Sequence, residues 1–181
     1  AGGMGTLLNV KSVDNEYDFP LVLKYCKKDD EELVRRFTRE VRILLSFQNN
    51  SKVVHIVDSN LDHDPPYFVM KYYPDGDLNN IVDVIREDYG LQEAMFLKMI
   101  DCVDELHQRG VFHRDIKPEN FLVDGDSIVV SDLGITVEIG SDTGFTRSSE
   151  FWGTRIYIPP EFMDGGFKHA DEAGDIFMLG K

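Results

Sequence analysis

His113-Arg114-Asp115-Ile116-Lys117-Pro118-Glu119-Asn120 packs an acid, basic side chains and an amide into eight residues. Short apolar runs flank it, Val111-Phe112 before and Phe121-Leu122-Val123 after, and both read as strands. A loop held between two strands is a rigid place to mount chemistry. Asp115 can accept a proton from an attacking hydroxyl. Lys117 can neutralise charge on a transferring group, and Asn120 can offer its side-chain oxygen to a hard cation. The same composition also suits a polar surface loop, so the rest of the chain decides between the two.

The 181 residues are enough for one domain or two small lobes, and 42% hydrophobic with 29% charged residues fits a globular protein. The formal charge of −14 argues against a general nucleic-acid binder, which needs a basic surface to displace counterions. A local cation site for phosphate is still compatible with it. Lys98 and Asp101 interrupt the best membrane-span candidate, near Met95 to Val103. The start, Ala1-Gly2-Gly3-Met4-Gly5, has no charged region followed by an apolar one, so no secretory signal is expected. Cys26 and Cys102 are far apart and form no C-x-x-C pair, which points to reduced thiols in a cytosolic protein.

Along the chain, Gly2, Gly3 and Gly5 either let backbone N–H groups approach a phosphate or form a flexible end. Thr6 to Val13 and Phe19 to Tyr25 read as a hairpin across Asp14-Asn15-Glu16-Tyr17-Asp18. Lys24 ends the second run and either meets an anion or snorkels to water. Asp29-Asp30-Glu31-Glu32 opens a helix whose buried stripe is Phe37, Val41, Leu44 and Leu45. Glu40 lies on that stripe, not opposite it. Val53 to Val57 and Tyr67 to Tyr72 read as two further strands around a turn at Asp64-Pro65-Pro66. A hinge at Tyr73-Pro74-Asp75-Gly76-Asp77 leads to helices over 78–87 and 92–108. The second carries Phe96, Met99, Ile100, Val103 and Leu106 on one side, and Gly110 ends it. Ser127 to Val130 completes a hairpin with 121–123 and delivers Asp132, a carboxylate placed to hold metal. Residues 135–152, rich in Gly, Ser, Thr and acids, read as a mobile segment.

In order and spacing these stretches resemble the eukaryotic-type protein kinase catalytic domain. His113-Arg114-Asp115 to Asn120 resembles H-R-D-x-x-x-x-N, and Asp132-Leu133-Gly134 resembles D-F-G with leucine replacing phenylalanine. Gly153-Thr154 to Pro160-Glu161 resembles the end of the activation segment, and Asp175 to Gly180 the helix that anchors the lower lobe. Lys117 with Thr154 resembles the serine/threonine branch. The resemblance implies Asp115 as catalytic base and Lys117 as stabiliser of the γ-phosphoryl. It implies ATP contacts at Gly2, Gly3, Gly5, Leu7 and Lys24, with Glu40 pairing Lys24. Met70 would be the gatekeeper, with backbone contacts at Lys71 and Tyr73; Asp77 would either reach the ribose or cap the next helix. Asn120 and Asp132 would hold Mg²⁺, with Mn²⁺ as the alternative ion. Arg114 would read an anion in the activation segment, from Glu150 or from a phosphate on Thr146, Ser148 or Ser149.

The fold class this resemblance implies is α+β. A small antiparallel sheet with its C-helix (residues 1–73, the first strand expected upstream) precedes a mainly helical lobe (74–181), only part of which the chain carries. The implied function is ATP-dependent transfer to Ser or Thr of a protein substrate in the cytoplasm, with no nucleic-acid partner and no membrane segment. The rival is a pseudokinase, a nucleotide-binding scaffold or an inactive kinase fragment. Lys24, Asp115 and Asp132, the residues whose loss would mark that rival, are all present.

Overall fold

The structure is a computed structural model that describes residues 5–14, 16–27, 31–133, 137–138, 157, 159–160 and 171–181. The expectations for Gly2, Gly3, Thr146, Ser148, Ser149, Glu150, Thr154 and Glu161 lie outside these residues. The chain divides into two compact units, residues 1–74 with 132–134, and residues 75–131 with 135–181.

The first unit is an antiparallel sheet of β1 (Gly5–Val10), β2 (Leu21–Cys26), β3 (Ile56–Asn60) and β4 (Tyr67–Lys71), in the order β1-β2-β4-β3. The aliphatic run of β2 pairs on both edges, so Lys24 stands opposite Leu7 on one side and Phe68 on the other. Helix α1 (Glu31–Ser46) starts with Glu31 and Glu32 at its positive end. It buries Phe37, Glu40, Val41, Ile43 and Leu44, and the Phe37 and Phe68 rings meet with centroids 5.6 Å apart. Leu45, expected in that stripe, is only half-buried, and Ile43 takes its share. The expected strand over 53–57 is displaced: Val53 and Val54 are buried, but the paired segment is Ile56–Asn60. This is an edge strand whose second half, Asp58 to Asn60, is polar with Asp58 and Asn60 exposed, so that half pairs through backbone and leaves no apolar signature.

In the second unit a single 3₁₀ turn (Leu78–Ile81) leads into α2 (Val82–Glu87) and α3 (Tyr89–His107). The Asp88 carboxylate accepts the Leu91 N–H at 3.1 Å and starts α3, and Gly110, at φ +69°, takes the left-handed turn after it. The buried residues of α3 are Met95, Cys102, Val103 and Leu106, whereas Phe96 and Ile100 are 43% and 38% exposed. The stripe is rotated from the expected one because α3 packs on a strand of the following hairpin; the Cys102 thiol reaches the Ile128 carbonyl at 3.6 Å. That hairpin is β6 (Phe121–Asp124) and β7 (Ser127–Val130), and β5 (Val111–Phe112) precedes the stretch His113–Asn120. β5 pairs with β8 (Val137–Glu138), a strand inside the segment expected to be mobile. Helix α4 (Glu172–Leu179) begins three residues before Asp175, with the Asp171 carboxylate accepting the Gly174 N–H at 3.3 Å.

Candidate functional site

In the first unit, strand β2 and helix α1 bring Lys24 and Glu40 together. Lys24 Nζ lies 2.7 Å from Glu40 Oε1, with the carboxylate 1% exposed and the lysine 14% exposed. The ammonium also sits 5.5 Å from the centroid of the Phe68 ring. Burial alone pulls the Lys24 ammonium down, but Glu40, and after it Asp132, outweigh burial and hold it above its ordinary 10.5. Lys24 is therefore held as a cation against Glu40. Gly5 shapes its path, because a Cβ there would stand 2.8 Å from the Tyr25 carbonyl oxygen and 3.0 Å from Lys24 Cγ. Leu7 is 58% exposed on the edge strand beside it.

Met70 and Lys71 close strand β4, and the Lys71 ammonium lies 5.7 Å from the Phe19 ring and 5.8 Å from the Tyr73 ring. The Lys71 N–H donates to the His55 carbonyl at 3.2 Å, and the buried Tyr73 accepts the His55 N–H at its hydroxyl at 3.5 Å. Asp132 is exposed and adopts φ +56°, the left-handed region, whereas Leu133 beside it is fully buried. The leucine that stands in place of phenylalanine thus fills an apolar position.

In the second unit, β5 and β6 hold the loop that carries Asp115, Lys117 and Asn120. Asp115 Oδ2 accepts from Lys117 Nζ at 2.7 Å and from Asn120 Nδ2 at 3.1 Å. Asn120 Nδ2 also donates to the Asp115 carbonyl at 2.7 Å, so its Oδ1 is the atom left to meet a cation. Among the described residues Oδ1 of Asp115 meets no donor, and it is the oxygen available to a hydroxyl proton. His113 is fully buried; its Nε2 meets the Ser131 carbonyl at 2.9 Å and its Nδ1 accepts the Asp115 N–H at 3.3 Å. It is a packed structural group between the Asp115 backbone and the strand end before Asp132.

Arg114 adopts φ +68°, which costs an L-residue about 1–2 kcal/mol. The loop is held in that shape by Asp175, 1% exposed, whose Oδ2 accepts the His113 N–H and Oδ1 the Arg114 N–H, both at 2.8 Å. His107 Nε2 meets the same Oδ2 at 2.9 Å. The sequence marks Asp175 as part of a helix motif, but nothing local links it to His107 or to the loop, which are remote in the chain. Asp77 Oδ1 accepts the Asn79 N–H at 3.0 Å, the capping arrangement of the two the sequence left open.

The family model described as "Protein kinase domain" matches residues 1–181. The chain belongs to this family. The serine/threonine-protein kinase ksp1 of Schizosaccharomyces pombe is 34% identical over 87% of the chain and 35% of its own length. The serine/threonine-protein kinase PKH2 of Saccharomyces cerevisiae is 29% identical over 99% of the chain and 18% of its length. The serine/threonine-protein kinase PrkC of Bacillus subtilis is 29% identical over 99% of the chain and 28% of its length. The chain thus spans about a third or less of these curated relatives. Kinases of this family use ATP and a divalent metal and act on proteins. Among the described residues no group of three or more His, Cys, Asp or Glu can hold a metal by itself. Among the described residues no helix is long and apolar enough to cross a membrane.

Proposed function

We propose that the whole protein is a serine/threonine kinase that moves the γ-phosphoryl group of ATP to a Ser or Thr hydroxyl of a protein substrate. The observation that carries this reading is Asp115: one carboxylate oxygen is fixed by Lys117 and Asn120, and the other is available to the acceptor hydroxyl. As the hydroxyl oxygen bonds to the γ-phosphorus, the bond to the β–γ bridging oxygen breaks and ADP leaves. The hydroxyl proton passes to Asp115. Lys117 counters charge on the transferring group.

Lys24, aimed by Glu40, is assigned to the α/β-phosphates. Gly2, Gly3, Gly5 and Leu7 cover the nucleotide, and the backbone at Lys71 and Tyr73, next to Met70, meets the adenine edge. Asp77 caps a helix, and a ribose contact is secondary to that. Asn120 and Asp132 would hold Mg²⁺, which shields the phosphate oxygens; Mn²⁺ would satisfy the same donors. Arg114 would read an anion supplied by Glu150 or by phosphorylation at Thr146, Ser148 or Ser149, and Thr154 would lie in the substrate-binding loop. The two free thiols support a cytoplasmic setting.

The test is transfer from γ-labelled ATP by the full-length protein, followed by phosphoamino-acid analysis of the labelled acceptor. Label in phosphoserine or phosphothreonine is expected. Label confined to phosphotyrosine, or nucleotide binding with no transfer at all, overturns the reading in favour of another branch or of a scaffold.

A further inference from the structure

We infer that the face of the first unit's sheet turned away from α1 is a docking site for a peptide segment of another protein, one that carries an arginine beside a large apolar side chain. The register defines that face. Successive residues of a strand point to opposite sides. Lys24 of β2 reaches Glu40 on α1, so Leu21 and Leu23 point away from the helix. Their ladder partners Val10, Leu8 and Val69 lie on the same side. The solvated face of an antiparallel sheet is ordinarily polar. Here it is aliphatic across β1, β2 and β4, and Leu8 is 49% exposed. A cavity of about 480 Å³ opens on it, floored by Val10, Leu21, Leu23 and Val69 and bordered by the connection between β1 and β2. Ligand cavities typically hold about 300–1,000 Å³.

The rim supplies the charge. Glu16 and Asp58, both exposed, line the cavity, and among the described residues neither carboxylate has an ion-pair partner. Asp58 owes its place to a bulge, because the register shifts between Ile56 and Asp58 and sets Asp58 opposite Val69. Regular pairing from Ile56 would set it opposite Phe68, on the Lys24 side of the sheet. The rings of Tyr17 and Tyr67 complete the lining with Lys11, its one cation among the described residues. A guanidinium suits this set: it forks onto carboxylates, stacks on aromatic rings and lays its stem along aliphatic side chains. The floor takes the large apolar neighbour, the kind of anchor that dominates interface energies. The same charges disfavour other occupants. An anionic lipid surface or a nucleic acid would be repelled by the rim and by the formal charge of −14. A second copy in a two-fold contact would set the acidic rim against itself.

The test is selection of a displayed random-peptide library on the immobilised full-length protein, with the selected peptides then titrated by fluorescence polarisation. Peptides that join arginine to an aromatic or large aliphatic residue should be enriched. Glu16→Lys/Asp58→Lys should weaken them by about 10-fold or more. Lys24 lies on the other face of the sheet, so ATP affinity should stay within about twofold and reports that the variant is folded. Asp83→Lys/Glu93→Lys, an equal change of charge at exposed positions of the second unit, should leave peptide binding unchanged. Asp58→Asn removes one charge without changing shape and should cost about twofold to fivefold. Replacing the peptide's arginine by glutamate, or its apolar anchor by serine, should each cost about 10-fold or more. Absence of such peptides from the selection, equal losses in the two double variants, or unchanged binding to Asp58→Asn would overturn the inference. So would a wild-type dimer that Leu8→Glu dissociates, which assigns the face to a second copy, or wild-type binding to vesicles of anionic lipid that Glu16→Lys/Asp58→Lys alters.

Discussion

Lys24→Met removes one partner of a buried ion pair and keeps most of the side chain's length. The pair spans 2.7 Å, Glu40 is 1% exposed and Lys24 14% exposed, so solvent screens it little. What remains after the substitution is a buried Glu40 carboxylate on α1 that has lost the Lys24 ammonium. Breaking such a pair costs about 3–5 kcal/mol, most of it desolvation of the charge left behind. The Lys24→Met/Glu40→Met double variant removes both charges and fills the space with apolar atoms. It should therefore recover most of the loss and sit within about 1 kcal/mol of wild type. Urea unfolding at pH 7, followed by circular dichroism, measures both. Simple additivity of the two single variants, or a Lys24→Met loss under about 1 kcal/mol, would refute the argument that the pair is a desolvated unit. The pH dependence has a defined sign. The folded-state value of Lys24 is raised, so its contribution is fully present below the unfolded value of 10.5 and is lost as pH rises through the folded one. From pH 7 upward the stability gap between wild type and Lys24→Met should hold to about pH 10 and shrink above it.

The other expectations are more local. Gly5→Ala puts a methyl group 2.8 Å from the Tyr25 carbonyl oxygen and 3.0 Å from Lys24 Cγ, so it should cost about 1–3 kcal/mol in urea unfolding and raise KM for ATP by displacing Lys24. Burial, and then Glu40, push the Cys26 thiol above its ordinary 9.0, against a smaller opposing pull from Lys24. The stability gained from keeping that thiol neutral is therefore present below pH 9.0 and falls away as pH rises through the folded value, a slope that Cys26→Ala should remove. Cys26 and Cys102, both buried, should react with a thiol reagent only as fast as the native structure opens.

Much of the site was legible because the chemistry is compressed into short stretches. Asp115, Lys117 and Asn120 lie within six residues, and the structure joins all three through one carboxylate. Glu40 was legible as a buried acid because it falls on the apolar stripe of α1, and Lys24 because it ends an aliphatic strand. The misreadings have physical causes. β3 is an edge strand whose second half, Asp58-Ser59-Asn60, pairs through backbone while its side chains read as polar, so the buried Val53 and Val54 drew the expected strand upstream. The face of α3 was misplaced because helical periodicity fixes a stripe's spacing but not the position of the strand it packs on. Two-residue β8 carries too few side chains to announce itself. Asp77 illustrates a role that sequence left open and geometry weighted, since its carboxylate caps the turn that follows. The His107–Asp175 bond joins residues 68 positions apart, and nothing in either neighbourhood points to the other.

The central claim is that Asp115 receives the acceptor's proton while the nucleotide is held by other residues. The most direct measurement is single-turnover phosphoryl transfer by the full-length protein, wild type against Asp115→Asn, with ATP affinity measured in parallel. Asparagine keeps the shape but cannot take the proton, so the transfer rate should fall by about 10²- to 10⁴-fold with ATP affinity nearly unchanged. Equal rates in the two proteins would contradict the account.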